Sequence, residues 1–484
     1  MNRRLSLELG LRYNILAPLY SALGNFTTFL PERFDRAKAP QVNPSNGALV
    51  TSPTTDPYNG IVIFGSGFPD AARGRIPEAG ASELQRLFIG LPRGGVETNY
   101  GGFGPRVGFA YDLFGNGKTA VRGGFGIFYD RIRTDFLGGS AGNPPFSDSA
   151  NLFDGNIDNP GGGATRRFPR DLNAISLDPS IPNVISFNLG VQRELRGNMI
   201  VEVGFLGTLG RHLMRTLNTN QLPVGARLKP ENRNVNTNAL RPYLGYGNIN
   251  LQENGDTSNY NSLQISLNRR MQQGLAFGVN YTFSRTLESS GGSFQDIYNL
   301  GVEAGLSNIH RAHVLSVNYV YELPFFRKHA NGLVRAALGG WDLSGVTVYQ
   351  SGAPNTVTVA QDTAGIGVAL SRADLIGNPQ LSEGERTLTK WFNTAAFAIP
   401  PSGRFGTSGR NNLIGPGFNQ WDISLLKNFY LRETVKLQFR AEAFNIWNHA
   451  SFTGISTNLS SQNFGQITSS GPGRVFEFGL RLAF

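Results

Sequence analysis

The chain closes on Arg474-Val475-Phe476-Glu477-Phe478-Gly479-Leu480-Arg481-Leu482-Ala483-Phe484. Phe476, Phe478, Leu480, Leu482 and Phe484 share one face of an extended strand; Glu477, Gly479, Arg481 and Ala483 share the other. Strict alternation of large apolar with small or charged side chains predicts a β-strand. It runs to the last residue, where chains usually fray, so a paired, buried terminus is expected. The segments before it read alike. Trp421, Ile423 and Leu425 alternate with Asp422 and Ser424, and Val435, Leu437, Phe439, Ala441 and Ala443 alternate with Lys436, Gln438, Arg440 and Glu442. Such strands can set one face against lipid and the other against water. In hydrocarbon every backbone N–H and C=O needs a partner, so a sheet crosses a membrane only as a closed barrel.

Outward from this stretch the same alternation predicts an all-β chain of about twelve strands, an antiparallel transmembrane β-barrel in sequence terms. The strands fall near 3–13, 105–113, 118–129, 185–194, 199–208, 260–270, 275–287, 313–323 and 340–352, with three more in 418–484. The ninth has the least clear faces. Short turns such as Gly115-Asn116-Gly117, Arg196-Gly197-Asn198 and Gln272-Gln273-Gly274 join some pairs. The connections after the second, fourth, sixth, eighth and tenth strands read as short. The others read as long external loops at about 14–102, 131–183, 209–258, 288–310, 355–415 and 448–473, with a short helix near 82–91. Structureless stretches of this length argue against a compact soluble domain, whereas alternating short turns and long loops are usual in membrane barrels.

Several ordered motifs resemble the C-terminal barrel of Oar-like TonB-dependent outer-membrane receptors. They are Trp391-Phe392-Asn393-Thr394-Ala395-Ala396-Phe397, Gly409-Arg410-Asn411-Asn412, Gly415-Pro416-Gly417-Phe418, Lys427-Asn428-Phe429 and Asn463-Phe464-Gly465-Gln466-Ile467. Leu437 to Asn445, Tyr281 to Arg285 and Tyr321 to Phe325 fit the same pattern. The resemblance implies a barrel of about 22 strands, a plug domain inside it, energy from the TonB system, and an unknown ligand. It also implies that Phe476, Phe478, Leu480, Leu482 and Phe484 form the signal read by the barrel-assembly machinery. Because the first strand begins almost at Met1 and twelve strands fall short of that size, residues 1–484 are expected to be an N-terminally truncated barrel domain. A TonB-contacting plug segment would then lie outside this sequence. Closure of twelve strands as a smaller barrel is the alternative. A plug-free porin-like channel and a surface adhesion barrel are the alternative functions.

Composition fits. The 484 residues include 61 Gly and 34 Phe, which suit turns, bulges and strands, and no Cys, so no disulfide or thiolate metal site is available. The formal net charge of +10 reads as Arg-rich wet loops and lumen, or as attraction to lipopolysaccharide or an anionic ligand. Without a basic helix or repeated Lys/Arg cluster, nucleic acid is not an expected partner. The expected neighbours are outer-membrane lipid and lipopolysaccharide.

No catalytic or metal site is expected, and no cofactor. His310 and His313 stand at a loop-to-strand junction, where a spacing of three does not put them on one face, and no nearby carboxylate or Cys completes a set. Gly101-Gly102-Phe103-Gly104 and Gly123-Gly124-Phe125-Gly126 do not open a helix, as a phosphate loop must. The candidates for contact with a plug or a passing ligand are the polar positions expected to line the lumen: Asp112, Arg122, Asn280, Glu322, Lys436, Gln438, Arg440 and Glu442. Hydrated wall residues paired with their neighbours are the plainer reading of the same positions.

Overall fold

The computed structural model describes residues 4–50, 52–131, 138–147, 151–153, 156–159, 164–178, 180–292, 294–430, 432 and 434–484. Twelve strands form one antiparallel meander, each paired with the next in sequence. They are β1 Leu5–Leu16, β2 Asn99–Asp112, β3 Thr119–Tyr129, β4 Asn183–Leu195, β5 Met199–Asn218 and β6 Tyr246–Gln272. Then come β7 Leu275–Glu288, β8 His313–Glu322, β9 Trp341–Gln350, β10 Phe418–Tyr430, β11 Lys436–Phe444 and β12 Val475–Ala483. A short parallel strand, Arg170–Ile175, adds to β6, and Gly305–Leu306 adds to the end of β7.

The register sorts most polar and most apolar side chains onto opposite faces of the sheet. Leu5, Tyr111, Val121, Val191, Val203, Ile265, Tyr281, Leu315 and Tyr349 are successive partners from β1 to β9, and all are apolar or aromatic. One residue along, Asp112, Ala120, Gln192, Glu202, Ser266, Asn280, Ser316, Val348 and Gln420 run from β2 to β10 on the opposite face. Directly paired residues lie on one face, and a slip of one would exchange the two rows everywhere. β9 resolves here: Asp342 and Ser344 join the polar face and Leu343 the apolar one.

The sheet order begins at β1 and ends at β12, and among the described residues no pairing joins these two strands. The terminus is therefore not buried. β12 pairs with β11 on one side only, Leu480 is 71% exposed, and Phe484 lies beyond the strand and is exposed. The apolar residues of a membrane-facing edge strand have no protein to bury against.

The hydrophobic core lies in the long connections and the start of β6. Phe29, Ile61, Leu172, Ala174, Tyr246 and Ile249 form one cluster. Ile63, Leu84 and Leu87 form another, and Val357, Val359, Ala373, Phe392, Ala396, Phe397 and Leu413 a third. A further cluster, Leu222, Ala364 and Ile366, joins the connection after β5 to that after β9. The connections 17–98, 130–182, 219–245, 289–312, 351–417 and 445–474 all leave one edge of the sheet.

Three expectations change. β5 and β6 extend ten and more residues past the predicted ends, pairing Leu213 to Asn218 with Asn250 to Asp256 beyond a bulge. The Asn- and Gly-rich run 246–259 reads as loop, but Arg170–Ile175 on one side and β5 on the other supply its backbone partners. The connection after β8 is not short: 323–340 carries a helix, Gly332–Leu338, capped by the Asn331 side chain. The helix expected near 82–91 is a single turn, α1, Ser82–Gln85; Gly332–Leu338 is α2. Residue 3, the expected start of the first strand, lies outside the described residues.

Candidate functional site: the polar face and its loop canopy

All eight polar candidates occupy one face, because the pairings link them. Asp112 and Asn280 share the row given above. Arg122 pairs with Ala110 and Gly190, flanked on its strand by Ala120 of that row. Glu322 pairs with Asp342, Asp342 with Leu426, and Leu426 with Arg440. Gln438 and Glu442 pair with Asn428 and Ser424, and Lys436 with Tyr430.

Most of these groups are held by the wall itself. Gln438 Nε2 donates to Asn428 Oδ1 at 3.0 Å, and Ser424 Oγ donates to Glu442 Oε1 at 3.2 Å. Arg440 Nη1 lies 3.8 Å from Glu442. Glu322 is paired with Arg327 at 3.0 Å, and Arg327 also reaches Asp342 at 3.6 Å. Asp112 is a turn residue: its carboxylate accepts from the N–H groups of Gly115 at 3.0 Å and Gly117 at 2.8 Å. Both glycines have positive φ, which the tight turn requires. Arg122 lines an open recess of about 400 Å³ with Lys118, Gln192, Glu194, Asn198 and Arg270. Partly exposed pairs of this sort are each worth about 0–1 kcal/mol, so these contacts add little to stability.

At the other edge the canopy closes on a buried charged hub that sequence reasoning did not single out. Glu303 is 1% exposed and Arg372 5%, with Arg372 Nη1 at 2.9 Å from Glu303 Oε2. The backbone N–H of Gln295 donates to Glu303 Oε1 at 3.0 Å, and Arg410 Nε donates to the Glu303 carbonyl at 2.7 Å. Next to it, Asn411 Nδ2 donates to Leu306 O and Asn308 Oδ1, both at 2.7 Å, while Thr356 Oγ1 donates to Asn411 Oδ1. The Gly409-Arg410-Asn411-Asn412 motif thus ties the connection after β9 to the one after β7. The Trp391-Phe392 motif acts through packing, with Phe392 in the third core cluster against Phe464 of the connection after β11. Arg404 donates to Asp374 and holds its carboxyl below the usual carboxylate range.

His310 and His313 part company. His310 is buried, with Nδ1 accepting from the Thr286 N–H at 3.3 Å, and burial lowers its pKa, with Arg311 and Arg285 adding to the effect. His313 Nδ1 is 2.8 Å from Tyr281 Oη. Among the described residues no group of three His, Cys, Asp or Glu is arranged to hold a metal. A half-enclosed cavity of about 180 Å³ in the canopy is lined by Asp56, Tyr58, Pro144, Phe168, Arg170 and Tyr246, among others.

Several solved structures are similar in part. The outer membrane transporter YddB from Escherichia coli shares 10% identity over 79% of this chain and 40% of its own, with a TM-score of 0.46. The ferric-catecholate import receptor Fiu from Escherichia coli shares 11% over 99% of this chain and 42% of its own, at 0.41. FpvA from Pseudomonas aeruginosa, bound to heterologous pyoverdines, shares 12% over 80% and 33%, at 0.38. The chain thus spans less than half the length of each of these proteins. No curated protein matches it. The profile described as "Outer membrane beta barrel domain" matches residues 1–477. With apolar rows on one face, polar rows on the other and its core in the loops, this chain belongs to the outer membrane β-barrel domain family.

Proposed function

We propose that this chain is the barrel part of an Oar-like TonB-dependent receptor that moves a large substrate across the outer membrane. The observation that carries the reading is the register. A predominantly polar face, formed from β1 to β12 with apolar gaps such as Val348 and Leu426 and roofed by packed connections at a single edge, supports a water-lined passage with a ligand-facing canopy. In this reading the long connections are extracellular and the short ones periplasmic. Arg122, Asn280, Glu322, Lys436, Gln438, Arg440 and Glu442 line the passage, while Asp112 shapes a periplasmic turn. Phe476, Phe478, Leu480, Leu482 and Phe484 serve as the assembly signal. Deleting Phe484 is expected to lower the folded protein in the outer membrane, and unchanged surface exposure would contradict that role.

The transport claim is tested with cells carrying or lacking the intact gene, given labelled peptides and oligosaccharides too large for porins. Gene-dependent accumulation that a protonophore abolishes is expected. Accumulation that survives the protonophore would instead indicate an open channel, and surface binding without uptake would indicate adhesion.

A further inference from the structure

The connection 323–340 is out of keeping with the other turns on its edge of the sheet, and its placement is specific. α2 follows Phe325-Phe326-Arg327-Lys328-His329, and the segment contains Arg327, Lys328 and Arg335 but no acidic residue. Two contacts draw its C-terminal end to the apolar side of the sheet. The indole Nε1 of Trp341 donates to the Ala337 carbonyl at 3.0 Å, and Lys427 Nζ donates to the Gly339 carbonyl. Trp341 and Lys427 are partners on the apolar face. Trp341 also meets Phe439, another residue of that face, edge-on at 6.0 Å. At Gly339 the backbone is packed too closely for a side chain: a Cβ there would lie 2.8 Å from the carbonyl oxygens of Arg335 and Phe326.

The segment nevertheless leaves its large apolar groups bare. Leu333 is 82% exposed, and Phe325, Phe326 and Leu338 are exposed as well. Phe326 holds φ at 58°, a left-handed conformation that bulky residues rarely adopt. A helix presenting leucines outward would be penalised in water and favoured at the boundary of headgroups and acyl chains, where an indole also prefers to sit. Lys328 and Arg335 have no carboxylate partner among the described residues, whereas Arg327 is paired with Glu322 and Asp342.

We infer that α2 is an interfacial anchor, seated in the headgroup layer of the periplasmic leaflet with Leu333 at the acyl boundary and its free cations favouring anionic phospholipid. The inference rests on the membrane orientation proposed above. It is argued from the continuity of α2 with the apolar face at Trp341 and from the charge of the segment.

The absence of cysteine from the chain allows a direct test. Leu333→Cys carries a single environment-sensitive fluorophore in the folded full chain, and Leu189→Cys, on the apolar face of β4, carries it as a control. The protein is placed in vesicles of phosphatidylcholine, with or without phosphatidylglycerol, whose acyl chains are brominated. The Leu333 label is expected to be blue-shifted and quenched, as the control is. Lys328→Gln and Arg335→Gln should each weaken its lipid contact on the order of fivefold in phosphatidylglycerol vesicles and little in phosphatidylcholine alone. A water-like, unquenched Leu333 label beside a quenched control overturns the inference and leaves the barrel reading standing. A blue-shifted but unquenched label places Leu333 against protein, in its own chain or a second copy, and overturns it too. If the Leu189 control is also unquenched, the membrane reading itself fails.

Discussion

Arg372 ties the connection after β9 to the one after β7. Its guanidinium neutralises Glu303 and also donates to the Val302 carbonyl at 2.9 Å. Removing one partner of a buried pair strands the other charge, at a cost of about 3–5 kcal/mol. Arg372→Leu is therefore expected to raise amide exchange across 289–312 and 351–417, while the double change Arg372→Leu with Glu303→Met loses far less. Equal losses in the two variants would show that the pair's charge is not what holds these connections. His310 supplies a pH dependence with a fixed sign. Its folded-state pKa lies below the ordinary value of 6.5, so the unfolded state takes up the proton first. Stability from this residue is complete above that value and falls as pH drops below it towards the folded pKa. Protonation would also break the Thr286 N–H to Nδ1 bond. Protection of 289–312, after correction for the intrinsic pH dependence of amide exchange, should fall as pH drops below 6.5 and stay flat in His310→Gln; an unchanged slope in that variant would assign the effect elsewhere. Little of this was legible in the sequence. Arg410 stood out in a motif, but Glu303 and Arg372 are distant in the chain, and only the folded canopy brings them together.

At the scale of elements, the strands were legible where large apolar and polar side chains alternate, and least so in β9, where Val346 and Val348 share the polar face while Gly345 and Thr347 lie on the other. Legibility failed where something other than alternation sets the structure. In 246–259 the strand is imposed by neighbours on both sides. In 323–340 a helix of Gly332–Leu338 is nucleated by an Asn cap and held by Trp341, neither of which leaves a periodic pattern. The face assignment can be tested on β11. Phe439 pairs with Lys427 and Leu480 on the apolar face, and Gln438 with Asn428 and Arg481 on the polar one. Phe439→Arg would put a charge on the lipid-facing side, close to the interface that Trp341 and Lys427 mark, and cost about 1 kcal/mol. Gln438→Arg would face water and cost little. Urea titrations of the two variants refolded in vesicles should rank them in that order, and the reverse ranking would shift the register of β11 by one.

Taken as a whole, the molecule is inside-out relative to a soluble domain. Its sheet exposes apolar side chains, its buried apolar residues gather in the connections, and the connections pack on one another rather than hanging free. Loop lengths could be read from the sequence, but their mutual packing could not, because its partners are far apart in the chain: Tyr246 Oη donates at 2.8 Å to the Asn59 carbonyl, 187 residues away. Phe392 tests this cooperativity. Phe392→Ala should cost about 3–5 kcal/mol and loosen 351–417 and 445–474 together in exchange measurements, leaving the strands protected. Loosening of the first connection alone would mean the two are independent.

The central claim, that one face of this sheet meets water and the other lipid, is tested most directly by single cysteines along β11 in outer membranes of cells expressing the intact protein. Positions 436 to 443 would each be replaced in turn and treated with a charged, membrane-impermeant thiol reagent. Cysteines at Gln438, Arg440 and Glu442 are expected to react and those at Leu437, Phe439 and Ala441 to stay unmodified. Uniform reactivity, or reactivity confined to the odd positions, would contradict the account.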